Sequence, residues 1–119
     1  MALSKYKKSY EKIAMGLLSF TPGEQNLNVL QKSMHRYEED PNWQLYLWKE
    51  EDDFIGVIGI ELKEHTFSVH HACVNPSYRN EGIGRDMVEK VQQLHEPLAL
   101  CATPATKDFL AKCWDRQYS

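Results

Sequence analysis

Between Ser9 and Phe20 the apolar residues Tyr10, Ile13, Leu17 and Phe20 recur at the spacing of a helix face, and Thr21-Pro22-Gly23 ends the pattern. A second helix is predicted from about Gly23 to Glu38, with Leu27, Leu30, Met34 and Tyr37 on its buried side. Asp40-Pro41-Asn42 stops it, because the residue before proline avoids helical geometry. The rhythm then changes. Trp43–Trp48, Phe54–Leu62 and Thr66–Val74 read as three strands joined by short polar turns, an antiparallel meander. A short edge strand is read at Leu3–Tyr6. Beyond Val74-Asn75-Pro76 a turn leads into a helix whose stripe is Ile83, Met87, Val91 and Leu94, ending near His95. Leu98–Ala102 follows as a short buried strand, parallel to the one ending at Val74 because a crossover helix separates them. A last helix from about Pro104 to Asp115 would bury Phe109, Leu110, Cys113 and Trp114. The fold class is α/β, a mixed and mainly antiparallel sheet flanked by helices.

Composition narrows what such a fold could do. The chain has 119 residues with no repeat or linker, so residues 1–119 are read as one domain. A formal charge of −3 gives no broad basic face, which argues against nucleic acid as a partner. No apolar run is long enough to span a bilayer, so no membrane partner is expected and a cytoplasmic location is read. The three cysteines (Cys73, Cys101, Cys113) are odd in number and lack metal-ligand spacing; a reduced protein without a metal fits them. Cys101 and Cys113 are read as core residues, and Trp43, Trp48 and Trp114 as core or dimer-interface aromatics.

The turn before the third helix carries chemistry. Arg79-x-x-Gly82-x-Gly84 sits between a strand and a helix start, where the first helical N–H groups lack internal partners and carry partial positive charge. Glycines permit positive φ and close approach of a ligand to the backbone. The combination suits a phosphate or pyrophosphate, with Arg79 adding a guanidinium that grips two oxygens. Gly84 is followed by Arg85-Asp86 and not by Lys-Ser/Thr, which excludes a nucleotide-triphosphate P-loop; Met87 stands where a dinucleotide fold needs a third glycine.

Val74-Asn-Pro-Ser-Tyr-Arg79-Asn-Glu-Gly-Ile-Gly84 resembles the pyrophosphate loop of the GCN5-related N-acetyltransferases (GNAT family). Ile55–Gly59 is similar to the family's third strand, Ser68–Val74 to its fourth, and residues 98–114 to its fifth strand and fourth helix. The whole chain, Tyr10–Phe20 included, is similar to small members associated with bacterial riboflavin-biosynthesis operons. The resemblance implies acetyl-CoA as cosubstrate, bound in a V-shaped opening between the fourth and fifth strands. Backbone N–H groups of Arg79, Asn80, Glu81, Gly82, Ile83 and Gly84 would hold the pyrophosphate, with Arg85 either on a phosphate or in water. Backbone groups of Cys73 and Val74 would pair with the pantetheine arm, and the Val74 N–H would face the oxygen on which charge develops.

The acceptor implied is a primary amine, attacking the thioester directly once a base has removed its proton. His70 and His71 are base candidates because imidazole titrates near neutrality, and strand alternation would turn only one of them to the acceptor. Glu61 on the adjacent strand could act through water. Each could equally be a packed or solvated side chain, and the acidic cluster Glu50–Asp53 could attract an amine or simply form a solvated turn. Cys73 is read as a small strand residue and not as a nucleophile.

The sequence departs from the family twice. Leu110 stands where many members carry a tyrosine that protonates the departing thiolate, with Tyr118 or water as substitutes. The two strands that commonly follow the fourth helix are missing from the chain as read, leaving that side to a second subunit, hence a possible homodimer, or open. The alternative function is a CoA-binding sensor or regulatory module without turnover.

Overall fold

A computed structural model describes residues 2–21, 26–78 and 82–118, with side chains described from Leu3 and as far as Cys113. Five strands form one sheet in the order β1-β2-β3-β4-β5: β1 Ala2–Lys5, β2 Trp43–Glu50, β3 Asp53–Leu62, β4 Thr66–Val74 and β5 Ala99–Ala102. The first four pair antiparallel, and β5 pairs parallel to β4, as the crossover argument requires. Helices α1 (Glu11–Leu18) and α2 (Leu27–Glu39) cover one face, and α3 (Ile83–Leu94) and α4 (Lys107–Tyr118) the other.

Local chemistry sets the helix ends. Asn26 has extended backbone and its side chain accepts the Asn28 N–H at 2.8 Å, which caps α2. Asp40 is again extended at the other end, where Pro41 forbids a further turn. The first residues of the predicted second helix, 23–25, lie outside the described residues.

Period-two alternation sorts β2 cleanly: Trp43, Leu45 and Leu47 pack under α1 and α2, while Tyr46 and Trp48 meet α3. Under α3 the buried stripe is Ile83, Met87, Val88 and Val91, set against Ile58, Ile60, Val69, Ala72 and Val74. Four side chains predicted to be buried are not. Ile13, Phe20, Leu27 and Leu94 are 45%, 42%, 59% and 57% exposed. In α1 the buried residues are Ala14, Leu17 and Leu18, so the stripe is rotated from the one read off Tyr10, Ile13 and Phe20. Leu94 occupies the final turn of α3 and borders an open space beside Leu3 and Tyr46. β5, expected to be buried, is the edge strand of the sheet and is exposed at Ala99, Cys101 and Ala102, so Cys101 is not a core residue, whereas Cys113 is buried. Trp43 and Trp48 are buried; the side chain of Trp114 lies outside the described residues.

One irregularity governs the site. The β3–β4 register pairs Gly59 with His71 and Ile60 with Val69, so His70 is an extra residue in β4. This bulge reverses the strand's parity. Val69 faces α3 and His70 the other side, as alternation dictates, but His71 then stays on the α1–α2 side and Ala72 returns to α3.

Candidate active site

β4 and β5 run together only briefly. Their register extends from Thr66↔Ala99 to Val69↔Ala102, and among the described residues β4 has no strand partner on that side from His70 to Val74. The Asn75 N–H donates to Ile55 O at 2.7 Å, which fixes which backbone groups point inward to β3. By the alternation of an antiparallel ladder, Cys73 turns its N–H and C=O to Val57 of β3, while Ala72 and Val74 turn theirs to the splayed side. The backbone groups aligned with the opening are therefore those of Ala72 and Val74, and not those of Cys73. The Cys73 thiol is buried and donates to Leu17 O at 2.8 Å, which ties β4 to α1.

The opening leads to the start of α3. A short 3₁₀ turn covers Pro76–Tyr78, held by the Tyr78 N–H on Asn75 O and by the Ser77 N–H on the Asn75 side chain. Arg79, Asn80 and Glu81 lie outside the described residues. Gly82 is the N-cap of α3 with φ +77°, a left-handed conformation that favours glycine, although a side chain there would meet nothing within 4 Å among the described residues. Gly84 has a different use. A Cβ at that position would stand 2.8 Å from Cζ of Phe109, so this glycine lets α4 lie close against α3. Ile83 is buried beneath the same helix pair, and the Arg85 Nε is engaged by Glu89 one turn on at 3.0 Å.

Both histidines of β4 lie on the α1–α2 face, contrary to the expectation that alternation would separate them; the bulge at His70 is the reason. Their surroundings differ. His71 is buried, with Nδ1 2.5 Å from the Tyr37 hydroxyl and the two rings edge to face. His70 is stacked on Trp43 at 4.2 Å and its Nε2 lies 2.9 Å from Glu61 Oε1. The His70 and Glu61 side chains are 26% and 29% exposed, which leaves this pair in reach of solvent. Arg36 lies over the Trp43 indole at 4.7 Å.

An open groove of about 700 Å³ reaches Trp43 and Tyr37, with Tyr6, Lys8 and Glu38 also on its wall. The Tyr6 hydroxyl donates to Glu38 at 2.7 Å, and this bond, with Lys8 nearby, holds the Glu38 carboxyl below the usual carboxylate range. Burial and the same carboxylate push the Tyr6 phenol up. Glu51 and Asp52 form the β2–β3 turn between the paired strand ends Glu50 and Asp53, with Glu51 at φ +53° and Glu50 accepting from the Trp48 indole at 3.2 Å. Leu110 is buried in the core under α3. The side chain of Tyr118 lies outside the described residues.

A family described as acetyltransferase (GNAT) domain matches residues 7–108 of this chain. The chain belongs to the GNAT acetyltransferases. It is an N-acetyltransferase by kinship, 46% identical over 112 residues to an uncharacterized N-acetyltransferase in the lysA 3′ region of Bacillus methanolicus, covering 93% of each chain. Among solved structures it is similar to the aminoglycoside acetyltransferase AAC(6′)-Iy in complex with a CoA bisubstrate analogue, with TM-score 0.76 and 9% identity over 98% of this chain and 87% of that one. A GNAT acetyltransferase from Elizabethkingia anophelis with acetyl-CoA bound gives TM-score 0.72 and 15% identity over 98% and 73% of the two chains. At such identities the likeness is one of fold. No helix among the described residues of this GNAT chain is long and apolar enough to cross a membrane.

The sequence anticipated Gly82 at the helix start and the strand that carries both histidines. Two further contributors escaped it: Tyr37, assigned only to a buried helix face, and Ala72, passed over for its neighbour Cys73, whose backbone groups turn to β3. Glycine inside a strand, as at Gly59 beside the bulge, was the available signal for it.

Proposed function

We propose that this GNAT chain transfers the acetyl group of acetyl-CoA to a primary amine of a small molecule or protein by direct attack in a ternary complex. The observation that carries the reading is the release of β5 at Val69, which leaves the backbone groups of Ala72 and Val74 facing an opening beside the N-terminus of α3. Those amides suit a pantetheine arm lying as an added strand, and the Val74 N–H suits the thioester oxygen. The first amides of α3, with Arg79 to Gly84 ahead of them, suit the pyrophosphate. His70 is the better base of the two histidines: it is in reach of solvent and Glu61 orients it, whereas His71 is packed against Tyr37. The groove at Trp43 gives an amine an approach to the His70 side of β4. Leu110 supplies no proton, so water would protonate the departing thiolate. Similarity to RibT, the small acetyltransferase of riboflavin-biosynthesis operons, suggests an acceptor in that pathway. A homodimer closing the site and a cytoplasmic location belong to the same reading.

Calorimetric titration with acetyl-CoA and CoA, followed by transfer to a pooled amine library, tests it. Micromolar binding with acetyl transfer is expected. Binding without any transfer across a broad library would favour a CoA sensor, and absence of binding would overturn the reading.

A further inference from the structure

The β4–β5 ladder ends in an unusual way. The Ala99 N–H donates to His65 O at 3.2 Å, and Ser68 stands opposite Cys101, so in a parallel ladder the next rung would run from the Thr103 N–H to Val69 O. That rung is replaced. The Thr103 N–H lies 3.2 Å from Oγ1 of Thr106, and Val69 O instead accepts two hydroxyls, Thr106 Oγ1 at 2.7 Å and Thr103 Oγ1 at 2.9 Å. Both acceptor sites of the carbonyl are thereby used. Thr106, just before α4, is 1% exposed, and its hydroxyl turns back to the sheet. The bulge at His70 follows directly, so the ladder is closed by side chains at the residue where β4 changes parity.

We propose that Thr103 and Thr106 are positioning residues that fix the vertex of the β4–β5 opening, and with it the depth to which the pantetheine arm can lie along β4. By taking Val69 O they keep the Thr103 amide out of the ladder and send the chain into α4 one rung early. Without the hydroxyls, the Thr103 amide is the next donor in register, and β5 would extend toward the space beside Ala72. The proposal rests on the reading that acetyl-CoA occupies this opening.

The test compares two probes on the full chain. CoA carries the arm; 3′-phosphoadenosine 5′-diphosphate carries the nucleotide and pyrophosphate without it. The Thr103→Val, Thr106→Val double variant keeps side-chain shape and removes both hydroxyls. It should bind CoA about tenfold more weakly, the scale of one lost hydrogen bond, while its affinity for the nucleotide probe is unchanged. Thr103→Ser, Thr106→Ser should bind CoA as the wild type does. If the double variant fails to fold, Thr106→Val alone decides, with a smaller loss again confined to CoA. Unchanged CoA affinity, or parallel loss of both probes, would overturn the proposal. A wild-type chain that binds neither probe would overturn the acetyl-CoA reading and the proposal with it, a result distinguishable because no variant is involved.

Discussion

The Tyr37 hydroxyl reaches Nδ1 of His71 through a space that exists only because residue 59 is glycine. A Cβ at that position would collide with the phenolic oxygen and ring carbons of Tyr37. The contact joins α2 to β4 across β3, so three elements meet at one buried hydrogen bond. Gly59→Ala should destabilise the fold by about 1–3 kcal/mol through overpacking. Tyr37→Phe should cost about 1–2 kcal/mol through the lost hydrogen bond. Urea denaturation of both variants and of the double variant checks this. The two effects should sum to less than their independent total, because part of the alanine clash is with the hydroxyl itself.

The two glycines of the loop should separate in experiment. Gly82→Ala meets no described side chain or backbone, so its expected cost is that of the left-handed backbone, about 1 kcal/mol, with weaker acetyl-CoA binding as the loop relaxes. Gly84→Ala pushes directly on the Phe109 ring and should shift the melting temperature, with Phe109→Leu in the same chain restoring part of the loss. Among the described protein atoms nothing crowds Gly82, so the constraint the fold itself sets there is conformational.

His70 and His71 should fail in different assays. If His70 is the base, His70→Gln should lower turnover by about 10²–10⁴-fold with acetyl-CoA affinity intact, and Glu61→Gln should lower it less. His71→Gln should appear chiefly as lost stability, since its ring is buried against Tyr37. Equal turnover in wild type and His70→Gln would pass the role to solvent or another group.

Most of the architecture was legible because it is written in periodicities. The meander, the crossover to a parallel β5 and the α3 stripe of Ile83, Met87 and Val91 all follow from spacing. What failed were mainly residues at the ends or on the flanks of amphipathic helices, together with Cys101 on the edge strand. Phe20 and Leu27 border the α1–α2 connection and Ile13 lies on the outer side of α1, and one apolar side chain does not reveal how far a helix is rotated against its sheet. The site was half legible. Motif chemistry identified the α3 start, but the orientation of β4 depends on a bulge that strict alternation cannot contain. The threonines at Val69 were invisible for a related reason: their role lies in a carbonyl 34 and 37 residues away.

His95 gives the chain a pH dependence of known sign. Its ring contacts Phe67 and the Tyr46 hydroxyl, and burial holds its pKa below the ordinary histidine value. The folded protein therefore takes up the proton less readily than the unfolded chain. Below about pH 6.5 the unfolded state binds the extra proton, so this contribution to stability is complete above that pH and is lost on acidification through it. Urea midpoints between pH 5 and pH 7.5 should fall less steeply for His95→Gln than for wild type. Identical slopes would assign the acid sensitivity to other groups.

The extra residue at position 70 means that β4 is written in two phases. Removing His70 would make Val69 and His71 neighbours on opposite faces, so the ladder to β3 would run on without a register shift. Phe67, Val69, Ala72 and Val74 would stay under α3, and His71 and Cys73 on the α1–α2 side. Substitution at this position is a question of chemistry, whereas deletion is one of shape. A chain lacking the residue should therefore still fold, with a straighter β4 and no imidazole beside Glu61.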